Sequence, residues 1–180
     1  LKRGYGDQIS VNFIGNESDT VAPVADKWKN WVFQINANGW FNGEQQYNSI
    51  NLSGGISIDR ITDKWKIQTS YWTSHNRSVF YFEDDTITNR QKSTWVDATA
   101  IRSISDHFSV GIFGSTVASI YNNFKLSATL APAVEYNLFP YIESTKLQVR
   151  IVYRIGAKYN IYHEETVYNK IEESLLFQSL

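Results

Sequence analysis

The 180 residues suit one domain and are too few to suggest two independent ones. With 17 basic and 18 acidic residues the formal net charge is −1, which does not favour nucleic acid or another strongly charged partner. The lack of cysteine excludes disulfides, thiolate catalysis and cysteine-ligated metals.

Aromatic residues make up 15% of the chain, although its mean hydropathy is −0.35. No apolar run approaches the ~18 residues of a transmembrane helix. A membrane β-barrel hides its lipid-facing residues by alternation, so it spans a bilayer with a polar average. The chain has no methionine and no signal peptide at its start, and we therefore expect a processed or partial chain.

The chain alternates apolar with small or polar residues, which is typical of β-strands. In chain order we predict strands near 7–15, 31–40, 49–59, 65–82, 94–104, 108–118, 126–138 and 147–161. The clearest is 147–161, which places Ile151 and Ile155 on one face and Arg150, Arg154 and Lys158 on the other. The polar segment 83–92 is either a long exposed loop or an extension of its strands. Because a strand interior tolerates proline badly, we predict a bulge at Pro132.

Two segments share the pattern Ile-[Ser/Thr]-Asp-x-aromatic-x-β-branched, at 61–67 and 104–110. Each predicts a tight turn followed by an aromatic residue that enters the next strand. With a third turn at 139–145, short turns alternate with longer loops near 42–48, 73–93, 119–124 and 162–174. This alternation is typical of the periplasmic and extracellular rims of an outer-membrane barrel.

Aromatic residues near the predicted strand ends are candidates for the two interfacial girdles of such a barrel. The girdle candidates are Trp31, Trp40, Trp65, Trp72, Trp95, Phe139 and Tyr141.

Several segments resemble an uncharacterised family of outer-membrane β-barrel proteins from Bacteroidota and, more distantly, the salt-induced outer-membrane barrel proteins. The segments that carry the resemblance are 27–33, 39–44, 105–111, 131–145, 153–156, 164–168, 172–175 and 178–180. Alternation near 7–15 and the polar stretch after it predict an N-terminal strand and connection in 1–27, and the resemblance implies that this segment lies on the periplasmic side. The resemblance further implies that 28–180 is the first seven to eight strands of a larger barrel, and it brings no known reaction.

Charged residues on the predicted inward faces are candidates to line the lumen. The lumen-lining candidates are Lys125, Glu135, Arg150, Arg154 and Lys158. They form either a charged constriction that selects an anionic solute or a salt-bridged network that fills the lumen. We favour the network, since a polar lumen is expected of any such barrel.

Nothing in the sequence predicts a catalytic, metal or cofactor site. The three histidines, His75, His107 and His163, are scattered and show no metal-ligand spacing. Asp106 next to His107 in a predicted turn, and Glu164 and Glu165 after His163 in a predicted loop, do not have a spacing that suggests a catalytic site. The acidic run at 83–85 lacks the spacing of a calcium loop. We therefore expect no enzymatic activity and no cofactor, although a membrane-barrel enzyme remains an alternative if a Ser or Asp converges on one of these histidines.

The sequence thus predicts an all-β, antiparallel, up-and-down transmembrane barrel in a Gram-negative outer membrane. Its partners would be the lipid bilayer with its lipopolysaccharide and other envelope proteins, and its role a scaffold, a complex subunit or a narrow passive pore. The alternative is a soluble barrel that binds a small ligand and turns its apolar face inward. The Asn, Gln and Ser residues on the polar faces of 31–40 and 49–59 argue against that alternative.

Overall fold

A computed structural model describes residues 26–83, 85–140, 146–147 and 149–180. These residues form one antiparallel sheet whose eight strands follow one another in chain order. The strands are β1 (Trp31–Gly43), β2 (Tyr47–Ile61), β3 (Trp65–Tyr81), β4 (Thr86–Ser103), β5 (Phe108–Ser119), β6 (Phe124–Asn137), β7 (Arg150–Tyr162) and β8 (Glu172–Ser179). No helix long and apolar enough to cross a bilayer occurs among these residues.

The all-β, up-and-down architecture is confirmed, but closure into a barrel is not. Among the described residues β1 pairs only with β2 and β8 only with β7, so both edges of the sheet are open. Seven predicted strands correspond to β1 to β7, whereas β8 was not predicted. The predicted strand at 7–15 lies outside the described residues.

The segment 83–92 belongs largely to strands, because β3 and β4 pair from Trp65↔Arg102 to Tyr81↔Thr86. Pairing between β4 and β5 stops at Ser93↔Ser119. The β3–β4 hairpin therefore continues beyond the end of β5.

The predicted contrast between short and long connections is wrong. One rim of the sheet carries the connections 44–46, 82–85, 120–123 and 163–171, and the other carries 62–64, 104–107 and 138–149. The connection 138–149 contains residues outside the described part of the chain. The connections 44–46, 82–85 and 120–123 are as short as 62–64 and 104–107 on the other rim, although long loops were predicted near 42–48, 73–93 and 119–124. We name the two rims the loop rim (with 44–46) and the turn rim (with 62–64).

The repeated Ile-[Ser/Thr]-Asp pattern forms the same turn twice, as predicted. The backbone N–H of Trp65 donates to the Thr62 hydroxyl over 3.0 Å, and that of Phe108 donates to the Ser105 hydroxyl over 3.2 Å. In each turn the hydroxyl satisfies the first backbone donor of the strand that follows.

The predicted bulge at Pro132 is wrong. On the β5 side Pro132 pairs with Ile112 in an unshifted register. On the β7 side the register is the same before and after Pro132, although Pro132 itself has no partner there. The missing proline N–H thus interrupts the ladder without inserting a residue. The register shift lies instead near the loop rim, between Phe124 and Leu126.

Candidate functional site

The sheet has one face of mostly apolar side chains, which we name the apolar face. Paired strands place their register partners on the same face. One row across the sheet joins Ile35, Ile56, Tyr71 and Val96. Leu130 and Ile151 lie on this face in β6 and β7. All but Val96 are exposed, with Ile35 at 77%.

Charged side chains occur on the apolar face only toward the ends of the strands. In the strands that the structure describes they are Arg60, Arg77, Arg90, Lys92, Arg102 and Glu172. On β4 the apolar face carries no charge between Arg102 and Lys92, a rise of about 33 Å along the strand at about 3.3 Å per residue. With a barrel tilt of about 40° this corresponds to about 25 Å perpendicular to a membrane plane.

Two arginines lie against tryptophans at the turn rim. The guanidinium carbon of Arg60 lies 5.6 Å from the centre of the Trp31 ring, and that of Arg102 lies 5.5 Å from the centre of the Trp65 ring. Both pairs are register partners on the apolar face. Each pair joins a large aromatic surface to a cation at the end of the charge-free region.

The opposite face, which we name the polar face, contains the best-buried residues of the sheet. These are Ser49, Gly55, Ile101, Ser109, Ser119, Ser127, Ala131, Ala133, Glu135, Asn137, Gly156 and Asn160. A Cβ at Gly55 would clash with the Trp72 ring, and one at Gly156 would lie 2.7 Å from both the Ala131 Cβ and the Phe177 ring. Side chains of this face thus lie over the backbone of neighbouring strands.

Three predicted girdle residues, Trp40, Trp72 and Trp95, lie on the polar face. Trp72 and Trp95 are register partners, and Trp40 is paired with Asn51. This placement corrects the grouping with Trp31 and Trp65, which do lie on the apolar face. Proximity to a strand end does not determine the facing of a side chain, whereas the alternation from Tyr71 does.

The two remaining girdle candidates lie in the connection between β6 and β7. Phe139 lies in the described part of this connection and is half-buried. Tyr141 lies outside the described residues.

Four of the five predicted lumen-lining residues share the polar face, and each of the four contacts another side chain. Arg150 and Glu135 form an ion pair of 3.2 Å, and the Asn137 amide donates to the other Glu135 oxygen over 3.0 Å. Arg154 reaches across β6 to lie 5.2 Å from the centre of the Phe113 ring.

The other two lumen-lining candidates differ in placement. The Lys158 ammonium lies 5.3 Å from the centre of the Phe124 ring, on the polar face. Lys125 is exposed at the register shift and has no partner on β7, so it does not belong to the polar-face row.

At the loop rim the polar face carries a second hydrogen-bonded cluster. Ser127 donates to Asn160 over 2.8 Å, and Asn160 donates to both Tyr162 and Glu173. Tyr162 donates to Glu173, which also pairs with Lys170 over 3.0 Å. These contacts join β6, β7 and β8.

The histidines do not form a site with one another. His107 Nδ1 lies 2.8 Å from the carbonyl oxygen of Asn137 in the turn rim, while His75 lies on the apolar face. Among the described residues no group of three or more His, Asp or Glu side chains could hold a metal ion.

No family model, curated protein or solved structure matches the chain. The resemblance to the Bacteroidota outer-membrane family therefore stays a prediction.

The sequence analysis missed the basic residues His75, Arg77, Arg90 and Lys92 on the apolar face near the loop rim. The alternation beyond Tyr71 assigns His75 and Arg77 to that face. The alternation within β4 is too weak to show which of its residues share a face. Arg90 and Lys92 could therefore be assigned to the apolar face only from the pairing of β4 with β3.

Proposed function

We propose that this chain forms part of the wall of a β-barrel in a bacterial outer membrane, where its apolar face contacts lipid and its polar face lines the interior. The observation that carries the proposal is the exposed apolar face, free of charge except toward the strand ends. Soluble proteins rarely expose apolar patches larger than a few hundred Å². The resemblance to the Bacteroidota family agrees with this placement.

In this proposal the eight strands are part of a larger barrel. The open edges of β1 and β8 carry backbone donors and acceptors that lipid cannot satisfy. Further strands would pair with these edges and close the wall.

A scaffold or subunit of an envelope complex is the role that the polar face supports best. Glu135 and Arg150 neutralise each other, and Phe113 holds the guanidinium of Arg154. Such contacts favour a lumen filled by its own side chains. The second candidate is a narrow passive pore, favoured by the row of Arg150, Arg154 and Lys158 on one strand. Purified protein in planar bilayers should pass no steady current if it is a scaffold, whereas a steady current would favour the pore.

Spin labels test the membrane placement directly, because the chain has no native cysteine. We expect nitroxides at Ile56→Cys and Ile151→Cys to collide more with oxygen, which concentrates in lipid. Their neighbours on the polar face, Ser57→Cys and Val152→Cys, should collide more with a water-soluble nickel chelate. The measurement is power-saturation electron paramagnetic resonance of the protein in lipid vesicles.

The matched neighbours distinguish the two function classes. A reversed pattern would support the soluble ligand-binding barrel, whose apolar face points inward. Preference for the nickel chelate at all four positions would contradict both membrane embedding and an apolar interior.

A further inference from the structure

Four basic side chains lie together on the apolar face of β3 and β4, near the loop rim. Arg77 is the register partner of Arg90, and His75 is the register partner of Lys92. All four are exposed. Like charges directly opposite one another destabilise a sheet, so an anion that binds both Arg77 and Arg90 would relieve their repulsion.

The described protein residues do not provide that anion. None of the four basic residues takes part in an ion pair among the described residues. The strand residues of β2 and β5 on the apolar face include no acidic side chain. Glu83 and Asp85 lie in the connection at the tip of the hairpin, beyond Tyr81 and Thr86.

Two adjoining grooves on the same face lead away from the basic cluster. The first, of about 320 Å³, has Phe41, Ile50 and Arg77 in its wall. The second, of about 460 Å³, lies next to it on the side away from the loop rim, with Leu52 and His75 in its wall.

Small residues form the floor of the second groove. Ala37, Gly39 and Gly54 carry little or no side chain, and their register partners Leu52 and Thr73 continue the wall. The two grooves lie next to each other along β1 to β3, because Leu52 and His75 follow Ile50 and Arg77 on the same face. We name the pair the trough, which has cations at its loop-rim end.

We propose that this trough and the basic cluster bind one phosphate-bearing lipid, with an acyl chain in the trough and the phosphate at Arg77 and Arg90. Arginine binds phosphate through paired, charge-assisted hydrogen bonds, and two guanidiniums on neighbouring strands offer them from both sides. The trough selects a lipid over free phosphate because it binds the chain attached to the headgroup. The inference rests on the proposed membrane placement and adds a specific ligand to it.

Native mass spectrometry of the protein released from detergent micelles tests the site, with phosphatidylglycerol as the probe. We expect one retained phosphatidylglycerol per chain, and retention reduced about tenfold or more in the variant R77Q/R90Q, because each lost charge-assisted hydrogen bond weakens binding. The control R60Q/R102Q removes the same charge from the same face at the turn rim and should retain the lipid.

A second pair of variants tests the trough. Ala37→Phe fills it and should also reduce retention about tenfold, whereas Ala98→Phe adds the same ring elsewhere on the apolar face and should not. Inorganic phosphate supplies the headgroup alone and diacylglycerol supplies the chains alone. Each should bind about tenfold or more weakly than phosphatidylglycerol.

Three outcomes would overturn the inference. These are unchanged retention in R77Q/R90Q, an equal loss in R60Q/R102Q, and inorganic phosphate that binds as well as the lipid. If the spin labels report lipid contact while retention is unchanged, only the lipid site fails. If the labels report no lipid contact, the proposed membrane placement is wrong, and the lipid site that rests on it is wrong as well.

Discussion

The polar face packs tightly across β5, β6 and β7 and loosely across β1, β2 and β3. In the first region, which we name the packed half, Ala131, Ala133 and Glu135 on β6 are at most 8% exposed. In the second, the open half, Trp40 is 59% exposed and Phe80 is 40% exposed.

The difference follows from which side chains can reach one another. In the packed half, small residues on β6 leave room for Arg154 of β7 to cover them and contact Phe113 of β5. In the open half, short Asn and Ser side chains occupy half of the positions on the polar face and are too short to reach past the neighbouring strand. Ser49 and Gly55 are its buried residues. The polar face is thus buried where long side chains of one strand can lie over small residues of the next strand.

The largest expected difference in stability between the halves comes from replacing a small polar-face residue with a large one. Ala133→Phe should lower the free energy of unfolding by about 1–3 kcal/mol, because the ring must displace Arg154 or the backbone beneath it. The matched change Ser53→Phe in the open half should cost less than about 0.5 kcal/mol. Urea titration in detergent micelles measures both. Equal losses would show that the two halves do not differ in packing.

Removing a carboxylate from the polar face should give a smaller difference in stability between the halves. Glu135→Gln should cost about 1–2 kcal/mol, since it weakens the contacts with Arg150 and Asn137. The full cost of breaking a buried ion pair is larger, but the Arg150 side chain is 37% exposed and water screens it. Asp59→Asn, which alters one hydrogen bond to Gln68 in the open half, should cost less than about 0.5 kcal/mol.

A double-mutant cycle with Arg150→Gln isolates the ion pair. The loss in the double variant should be smaller than the sum of the two single losses. Additive losses would contradict an ion pair that stabilises the packed half.

The strands and most facings could be predicted from the sequence because alternation has a period of two and is continuous in β1, β2, β6 and β7. The repeated turns were also predictable, since Thr62 and Ser105 each supply a hydroxyl to a local backbone donor. Both features depend on residues close together in the chain.

Features that depend on distant residues could not be predicted. The facings of Trp95, Arg90 and Lys92 required the register of β4 with β3, and the two halves of the polar face required contacts across three strands. Strand β8 was missed because its apolar residues occur on both faces, with Leu175 on the polar face and Leu176 on the apolar face.

The smallest expected effect lies just before β1, at the edge of the open half. Hydrogen bonds from the backbone N–H groups of Asn30 and Trp28 hold the pKa of the Asp26 carboxyl below its ordinary value. They fix a turn in which Lys29 and Asn30 have positive φ angles of 51° and 67°. Because the pKa is lowered on folding, the turn's stabilisation is complete above the ordinary Asp value and is lost as the pH falls through the lowered pKa.

We expect the amide resonances of Trp28 and Asn30 to shift together in this acidic range, while amides of the packed half such as Ala131 stay constant. Asp26→Asn keeps a side-chain acceptor without a charge and should remove the shift. Nuclear magnetic resonance titration in micelles measures all three. A shift at Ala131 with the same midpoint would mean that protonation of Asp26 reaches the packed half, and the two halves would then behave as one cooperative unit rather than as two regions of different packing.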